Sequence, residues 1–343
     1  MTILYIGQYT EGTTSKMRAD QIKEILSPCN FFVIDTNEPF FNTLKLFRSF
    51  GFRYKKGPLI TNINQYISAR LNTIKINSYD LIWIDKAIFL TPQTTQHLKS
   101  LSNKLIHFTP DMAFYGNQSR LYNLSAKYYD YHVTTKTAEV REYQKKNITK
   151  KLVVTTQGFD KAVHQPTTSF DKKENAVAFI GLCEPSRELV VQKLINQQIK
   201  VKLAGKGWKT FVEKNNKSAY LEFIGDAVFS QKYTQFISSC YFSIGLLSKK
   251  FPELHTTRTF EIPACGTALI TERNKETTSF FTEEEAIFYD SIEEMIDKIK
   301  YYQAHPDKLE LLTHKGTKRV NKDGRDYESI LRKVLEEIGE LEE

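Results

Sequence analysis

Short apolar runs rich in β-forming residues alternate with helical segments along the whole chain, and this alternation limits the fold more than any other feature. In the first half the runs lie at 3–6, 31–34, 81–84, 105–108, 131–134 and 152–155. In the second half they lie at 177–180, 200–203, 221–224, 241–245, 267–271 and 286–289. Strands that alternate with helices form parallel sheets covered on both faces. The sequence therefore predicts an α/β protein with two Rossmann-like units.

The helices between these runs carry recognisable start signals. Thr91 followed by Pro92 predicts a helix start, because proline is favoured at the first helical position. Ser291 and Glu294 form a capping-box pattern ahead of an apolar stripe with helical spacing. The last segment predicts an amphipathic helix whose apolar face holds Tyr327, Ile330, Leu331, Val334, Leu335 and Ile338.

The length of 343 residues exceeds the size at which one hydrophobic core usually keeps growing. Two domains are predicted, at 1–165 and 174–325, with the terminal helix at 326–343. The polar segment 164–174, which contains a proline, is the predicted boundary.

Composition excludes several classes of protein. Hydrophobic residues make up 41% and charged residues 26% of the chain, which is typical of a globular protein. The first residues resemble a strand rather than a signal peptide, and the four scattered cysteines have no metal-ligand spacing. We expect a cytoplasmic protein without a zinc site. The net charge of +8 favours anionic partners without choosing among them.

Residues 253–270 form the most informative motif, ELHTTRTFEIPACGTALI. A loop leads into a short helix, a glycine stop and an apolar strand, an order that presents a helix N-terminus to an anionic ligand. Arg258 could bind phosphate oxygens, with Thr256 and Thr257 offering further donors. Glu261 could accept hydrogen bonds from a ribose diol.

This motif resembles the donor-sugar motif of GT-B glycosyltransferases, in which Glu253 and Glu261 would be the two glutamates of Glu-x7-Glu. The wording Arg-Thr-Phe-Glu is similar to the branch related to the spore maturation protein CgeB. The resemblance implies two Rossmann-like domains facing across a cleft, with the terminal helix packing back on the first. It also implies transfer of a sugar from a nucleotide-sugar, with retention, to a glycan, lipid-linked or protein hydroxyl, as in cell-surface polysaccharide biosynthesis.

Within this resemblance Glu253 would lie near the sugar hydroxyls as a catalytic residue. The Gly-Phe-Gly that often follows the first glutamate is replaced here by Leu254-His255-Thr256. That departure opens a catalytic role for His255 near the sugar or phosphate, although a lone histidine can equally be structural.

Three further turns of the second domain resemble donor-binding segments of the family. Arg187, after the turn GLCEPS, matches a cation that meets the diphosphate, and could alternatively be a solvated residue of a first helical turn. Lys206 lies in a Gly-Lys-Gly turn in which backbone can approach a ligand closely. Asp226 follows Gly225 where the family holds the nucleobase edge, and could equally be an ordinary turn residue.

No metal or cofactor is expected. Cationic side chains and helix N-termini can neutralise a diphosphate leaving group, and no Asp-x-Asp triplet stands in a suitable loop.

The first domain is predicted to hold the acceptor. Gly12, in a loop rich in small residues after the first strand, would allow close approach of the donor diphosphate. Asp111 resembles an aspartate of the CgeB-like branch and could orient or deprotonate the acceptor hydroxyl. A helix N-cap is the alternative for Asp111.

Residues 40–56 interleave aromatic and basic side chains. The pattern fits a core helix with a solvated basic face, and it also fits a peripheral membrane contact or stacking on RNA.

Two other functions share parts of this pattern. A sugar-nucleotide epimerase would use the same fold, whereas a phosphorylase would need a pyridoxal-phosphate pocket for which the sequence has no signal. A non-enzymatic module that binds nucleic acid or a surface is the second alternative, although nucleic acid is not the expected partner.

Overall fold

The computed structural model describes residues 1–148 and 151–341, and the chain divides into two units. Residues 1–156 and 327–343 form the first unit, and residues 157–326 form the second. Each unit contains one parallel sheet of six strands. The predicted α/β fold with two Rossmann-like units is confirmed.

The first sheet has the strand order β2-β1-β3-β4-β5-β6. Its central strands are buried on both faces, as expected for a sheet between helical layers. The strands are β1 (Thr2–Gly7), β2 (Asn30–Asp35), β3 (Tyr79–Asp85), β4 (Ser102–Thr109), β5 (Tyr131–Thr134) and β6 (Leu152–Val154). The helices are α1 (Thr14–Ile25), α2 (Asn37–Asn42), α3 (Lys45–Tyr54), α4 (Pro58–Ile74), α5 (Pro92–Ser100), α6 (Arg120–Ser125) and α7 (Val140–Lys145).

Local signals account for some of these boundaries. Thr91 caps α5 by accepting a hydrogen bond from the Thr94 N–H, and Pro92 takes the first helical position, so this predicted helix start is confirmed. The prediction of a core helix within 40–56 is wrong for α3. Gly51 is the one buried residue of that helix, and its aromatic side chains are exposed.

The second sheet has the strand order β12-β11-β10-β7-β8-β9. The strands are β7 (Glu174–Ile180), β8 (Val201–Ala204), β9 (Leu221–Gly225), β10 (Cys240–Ile244), β11 (Ala268–Glu272) and β12 (Ile287–Tyr289). The helices are α8 (Pro185–Asn196), α9 (Lys209–Lys214), α10 (Ser230–Ser238), α11 (Arg258–Ala264), α12 (Thr277–Phe280), α13 (Ile292–Ala304) and α14 (Pro306–Lys322).

The predicted capping box at α13 forms in part. The Ser291 hydroxyl accepts a hydrogen bond from the Glu294 N–H at 3.1 Å. The Glu294 carboxylate bonds to the N–H of Asp290 at 2.7 Å, one residue earlier than the reciprocal bond of a capping box.

The last helix, α15 (Tyr327–Glu337), belongs to the first unit. Its apolar face packs with α1 and with one face of the first sheet, where Leu331 and Leu335 are fully buried. An amphipathic helix is stable here because it covers apolar strand residues that water would otherwise reach.

The division between the units differs from the predicted boundary at 164–174. It falls between Thr156 and Gln157, because the chain from residue 157 onward already bonds within the second unit. The Phe159 N–H bonds to the carbonyl of Arg325 at 3.2 Å, and the Val163 carbonyl accepts from Thr234 at 2.8 Å. Within residues 1–148 and 151–341, no helix has the length and apolar character needed to cross a membrane.

Candidate functional site

The second sheet contains a topological switch point between β7 and β10. From β7 the chain continues through β8 and β9 to one side, and β10, β11 and β12 extend to the other. The loops after β7 and β10 therefore diverge at the carboxyl edge of the sheet. In open α/β sheets this is where ligands bind.

The loops after β7 and β8 approach each other closely. A Cβ added to Gly205 would lie 1.9 Å from the carbonyl oxygen of Gly181, and the φ angle of Gly205 is +135°. That same oxygen accepts a hydrogen bond from the Trp208 indole at 2.8 Å. Gly205, the first glycine of the Gly-Lys-Gly turn, therefore allows the loops after β7 and β8 to touch. Trp208 packs in the core. Lys206 is left exposed at this edge.

Arg187, in the first turn of α8, holds the loops of the switch point together. Its guanidinium donates to the Leu182 carbonyl at 3.1 Å and to the Leu246 carbonyl at 3.3 Å. It also pairs with Glu184 at 3.3 Å, and Glu184 accepts from the Ser248 hydroxyl at 3.0 Å. Arg187 is therefore a structural residue as well as a predicted phosphate ligand, and is not a solvated residue.

The charge of Arg187 is balanced by neighbours on the same edge. Burial lowers the pKa of Arg187, and the nearby charge of Arg258 lowers it further. The carboxylates of Glu184 and Glu253 act in the opposite direction. Arg187 is 6% exposed, and its Nε has no hydrogen-bond partner among the residues that the structure describes.

Two more polar groups at this edge lack partners. The Thr256 hydroxyl and the Nε of Arg258 are buried and unpaired within residues 1–148 and 151–341. Thr257 precedes α11 and is half-buried, as is Glu253. Buried donors normally find partners, so unpaired ones that cluster at one edge indicate a ligand. Arg258 is close enough to Arg187 to affect its pKa, and Thr256 lies two residues before Arg258.

Glu261 is buried and has a hydrogen-bond partner within the second unit. Its side chain is buried in α11, and Oε2 accepts a hydrogen bond from the Tyr233 hydroxyl at 2.5 Å. The other oxygen lies 3.8 Å from His164 Nε2. Burial and this carboxylate raise the pKa of Tyr233 well above its ordinary value. The carboxylate therefore stabilises the packing of α10 on α11, and this geometry does not favour the predicted bond to a ribose diol.

His255 has a hydrogen-bond partner on each ring nitrogen. Its Nε2 accepts from the Gln157 N–H at 3.0 Å, and its Nδ1 bonds to Glu276 at 2.6 Å. The ring is 1% exposed and packs against Phe260 and Phe280. Both nitrogens are engaged within the second unit, so the geometry favours the structural alternative over a catalytic role.

Asp226 lies in solvent after β9, next to Gly225, whose φ angle is +140°. The structure gives its carboxylate no feature beyond that of an exposed turn residue. Its predicted place at the nucleobase edge stays a prediction.

Two predicted residues belong to the first unit. Gly12 has a φ angle of +78° in the loop after β1, where glycine avoids strain. Asp111 follows β4 and pairs with Lys86 at 2.6 Å, so it is not a simple helix cap. Desolvation acts to raise the pKa of Asp111, but the charge and hydrogen bond of Lys86 outweigh it and the pKa is lowered.

Asp85, at the end of β3, is enclosed rather than available to a ligand. The Arg18 guanidinium binds both of its carboxylate oxygens, at 2.9 and 3.1 Å. The Tyr5 hydroxyl donates to the same carboxylate at 2.9 Å. Asp111 is thus the more accessible carboxylate of this edge.

Sequence reasoning missed Glu184, Ser248 and Tyr233. Glu184 stands three residues before Arg187, and this spacing across a helix start was an available signal. Ser248 and Tyr233 meet their partners 64 and 28 residues away along the chain, so no local pattern marks them.

Comparison with known proteins agrees with this architecture. Residues 187–336 match the family model described as "Glycosyl transferase-like". No curated protein sequence matches the chain. HepE of Anabaena, solved in complex with UDP-glucose, has a TM-score of 0.68 at 14% identity, covering 99% of this chain and 100% of that one.

Two other solved structures are similar. A glycosyltransferase from Rickettsia africae ESF-5 has a TM-score of 0.65 at 13% identity, over 98% of this chain and 97% of that one. Sucrose-phosphate synthase from Thermosynechococcus elongatus has a TM-score of 0.64 at 11% identity, over 98% of both chains. The fold is GT-B. The predicted enzyme class, a glycosyltransferase, is confirmed by the family model that matches residues 187–336.

Proposed function

We propose that this glycosyltransferase takes its sugar from a nucleoside-diphosphate sugar, a UDP-sugar in the first instance. The observation that carries the proposal is the group of three buried polar atoms without partners at the carboxyl edge of the second sheet: Arg187 Nε, Thr256 Oγ1 and Arg258 Nε. Two cations and a hydroxyl at a switch point suit a diphosphate. The choice of uridine is supported by the UDP-glucose that HepE binds.

The chemical role of this edge follows from the charge that develops on the leaving group. As the glycosidic bond breaks, negative charge builds up on the diphosphate, and preorganised cations stabilise it. Arg187 is already held by the Leu182 and Leu246 carbonyls, so it needs little reorganisation. Lys206, exposed beside the same loops, adds a mobile cation, and Thr257 adds a donor at the start of α11. These cations are the basis for proposing metal-independent transfer.

The acceptor and the stereochemistry are further parts of the proposal. The Glu-x7-Glu resemblance supports retention, and the wording of the motif supports a CgeB-like branch and a role in cell-surface polysaccharide synthesis. Asp111 remains the proposed acceptor residue. It is ionised and paired with Lys86, so it would orient a glycan, lipid-linked or protein hydroxyl more readily than it would remove its proton.

Calorimetric titration with UDP, GDP, CDP and ADP tests the donor. We expect one nucleotide to bind and the corresponding nucleotide-sugar to be hydrolysed slowly in the absence of acceptor. Absence of binding to all four nucleotides would contradict the proposal.

A further inference from the structure

Helix α3 and the turn before it expose an unusual amount of apolar surface. Leu44 and Leu46 are 70% and 76% exposed, more than any other large apolar side chain of the described residues. The α3 surface, as we define it, consists of Phe41, Leu44, Leu46, Phe47, Phe50, Phe52 and Tyr54, all of which are exposed. Single exposed apolar residues are ordinary, but a contiguous set of this kind marks an interaction site.

Helix α3 exposes an apolar stripe with basic residues close to it. Leu46, Phe50 and Tyr54 follow one another at intervals of four residues. The ring centroids of Phe50 and Tyr54 lie 4.9 Å apart. Lys45 and Arg53 are both exposed on the same helix, and with about 3.6 residues per turn Arg53 projects beside Leu46. An apolar stripe with basic residues close to it is the pattern of a helix that lies in the plane of a membrane interface.

Contacts beneath the helix fix which side faces outward. A Cβ on Gly51 would lie 2.5 Å from the Cβ of Leu59, so α3 approaches α4 too closely to admit a side chain there. Phe52 packs edge-on against Phe89 at 5.9 Å. The exposed stripe is therefore a fixed part of the first unit.

The charge of the surrounding sequence selects an anionic partner. Residues 39–79 contain no aspartate or glutamate, and seven cations lie among them: Lys45, Arg48, Arg53, Lys55, Lys56, Arg70 and Lys75. Lys45, Arg53 and Lys56 are exposed at or beside α3. A stretch of this length without a single acid creates a positive field over the apolar surface.

We propose that the α3 surface docks on an anionic lipid bilayer, with Leu46 and Phe50 entering the interface and Lys45 and Arg53 meeting the headgroups. RNA is a poorer occupant, because the most exposed side chains are leucines, which have no face for base stacking. A second copy of this chain is also poorer, since a two-fold contact would bring two sets of cations together.

The position of the surface connects it to the first sheet. Phe89, against which Phe52 packs, follows β3 by four residues, and Lys86 and Asp111 lie at the carboxyl ends of β3 and β4. A lipid-linked acceptor would therefore be delivered close to Asp111, a consequence that rests on the proposed function. The docking itself does not depend on the donor chemistry.

Co-sedimentation of the full chain with large vesicles tests the docking, with no nucleotide present. Vesicles of phosphatidylcholine alone are compared with vesicles containing phosphatidylglycerol. The variants are Leu46→Ser with Phe50→Ser, and Lys45→Gln with Arg53→Gln. Matched controls on the same unit are Leu124→Ser, which is also exposed, and Lys23→Gln with Lys127→Gln.

We expect binding to the anionic vesicles only. The apolar double variant should lose on the order of a hundredfold in partitioning, and the basic one on the order of thirtyfold. The controls should bind like the parent. A Phe50→Trp variant should shift its emission to the blue and be quenched by brominated acyl chains.

Three results would overturn the proposal: equal binding of parent and α3 variants, absence of quenching, or no vesicle binding together with RNA binding that the α3 variants lose. A parent that forms dimers which Leu46→Ser dissociates, and that ignores vesicles, would assign the surface to self-association instead.

Discussion

Replacing Arg258 by methionine should separate nucleotide binding from stability. The methionine keeps an apolar stem and removes the guanidinium. A charge-assisted hydrogen bond contributes about 1.5 to 3 kcal/mol, so the Kd for UDP should rise by about tenfold to 150-fold. Calorimetric titration measures this change directly.

The same substitution should not destabilise the fold. Arg258 Nε is buried without a partner, and Arg258 forms no ion pair among residues 1–148 and 151–341. An unsatisfied buried N–H costs about 1 kcal/mol or more. The free energy of unfolding should therefore stay constant or rise by about 1 kcal/mol, as measured by urea denaturation.

Arg187→Met provides the contrast. It removes two bonds to loop carbonyls and leaves buried Glu184 without its cation, so the free energy of unfolding should fall by about 3 kcal/mol. Lys217→Gln, which changes an exposed cation of the same unit, is the control for net charge. A parental Kd for Arg258→Met, or a loss of stability as large as that of Arg187→Met, would refute the assignment of Arg258 to a ligand.

Four further outcomes are expected. Turnover of a UDP-sugar should persist in EDTA, and activity restored only by Mn²⁺ would contradict the cationic mechanism. Tyr233→Phe should lower the free energy of unfolding by about 1 to 3 kcal/mol because buried Glu261 loses its donor; an unchanged urea midpoint would count against this. Burial lowers the pKa of Lys173 from 10.5 to about 8. Between these two pH values the folded protein has lost a proton that the unfolded chain keeps, so the free energy of unfolding rises with pH. Lys173→Met should remove that rise between about pH 8 and 10 in urea unfolding, and parallel curves for both proteins would contradict it. Gly205→Ala should disrupt the turn, since its Cβ would lie 1.9 Å from a carbonyl oxygen, and unchanged UDP affinity in a folded variant would disprove this.

The sheets could be predicted because buried parallel strands have a strong local signature. Each of the twelve apolar runs overlaps a strand, from β1 to β12, since strands covered on both faces must be apolar throughout. The exposure of α3 could not be predicted in the same way. An apolar stripe has the same pattern whether it packs on a core or faces solvent, and the contacts of Gly51 with Leu59 and of Phe52 with Phe89 become visible only in the fold.

Individual site residues were predictable only to the extent that their partners were local. The turn before Arg187 marks it as a candidate, but its bond to Leu246 spans 59 residues, so its structural role becomes visible only in the fold. The sequence leaves the role of His255 open because Gln157, which donates to its Nε2, lies 98 residues away. The hydrogen bond of Glu261 could not be predicted because its partner, Tyr233, comes from another helix.

The carbonyl bonds of Arg187 bear on how the enzyme could be re-engineered. A lysine cannot reproduce two divergent bonds from one planar group, so even the exchange Arg187→Lys, which keeps the positive charge, should disturb the loop geometry. Libraries that aim at a different donor should leave Arg187 unchanged and vary Lys206 and Asp226, which are exposed at the neighbouring turns. Diversity at those two positions tests their proposed roles at the donor while the frame beneath them stays intact.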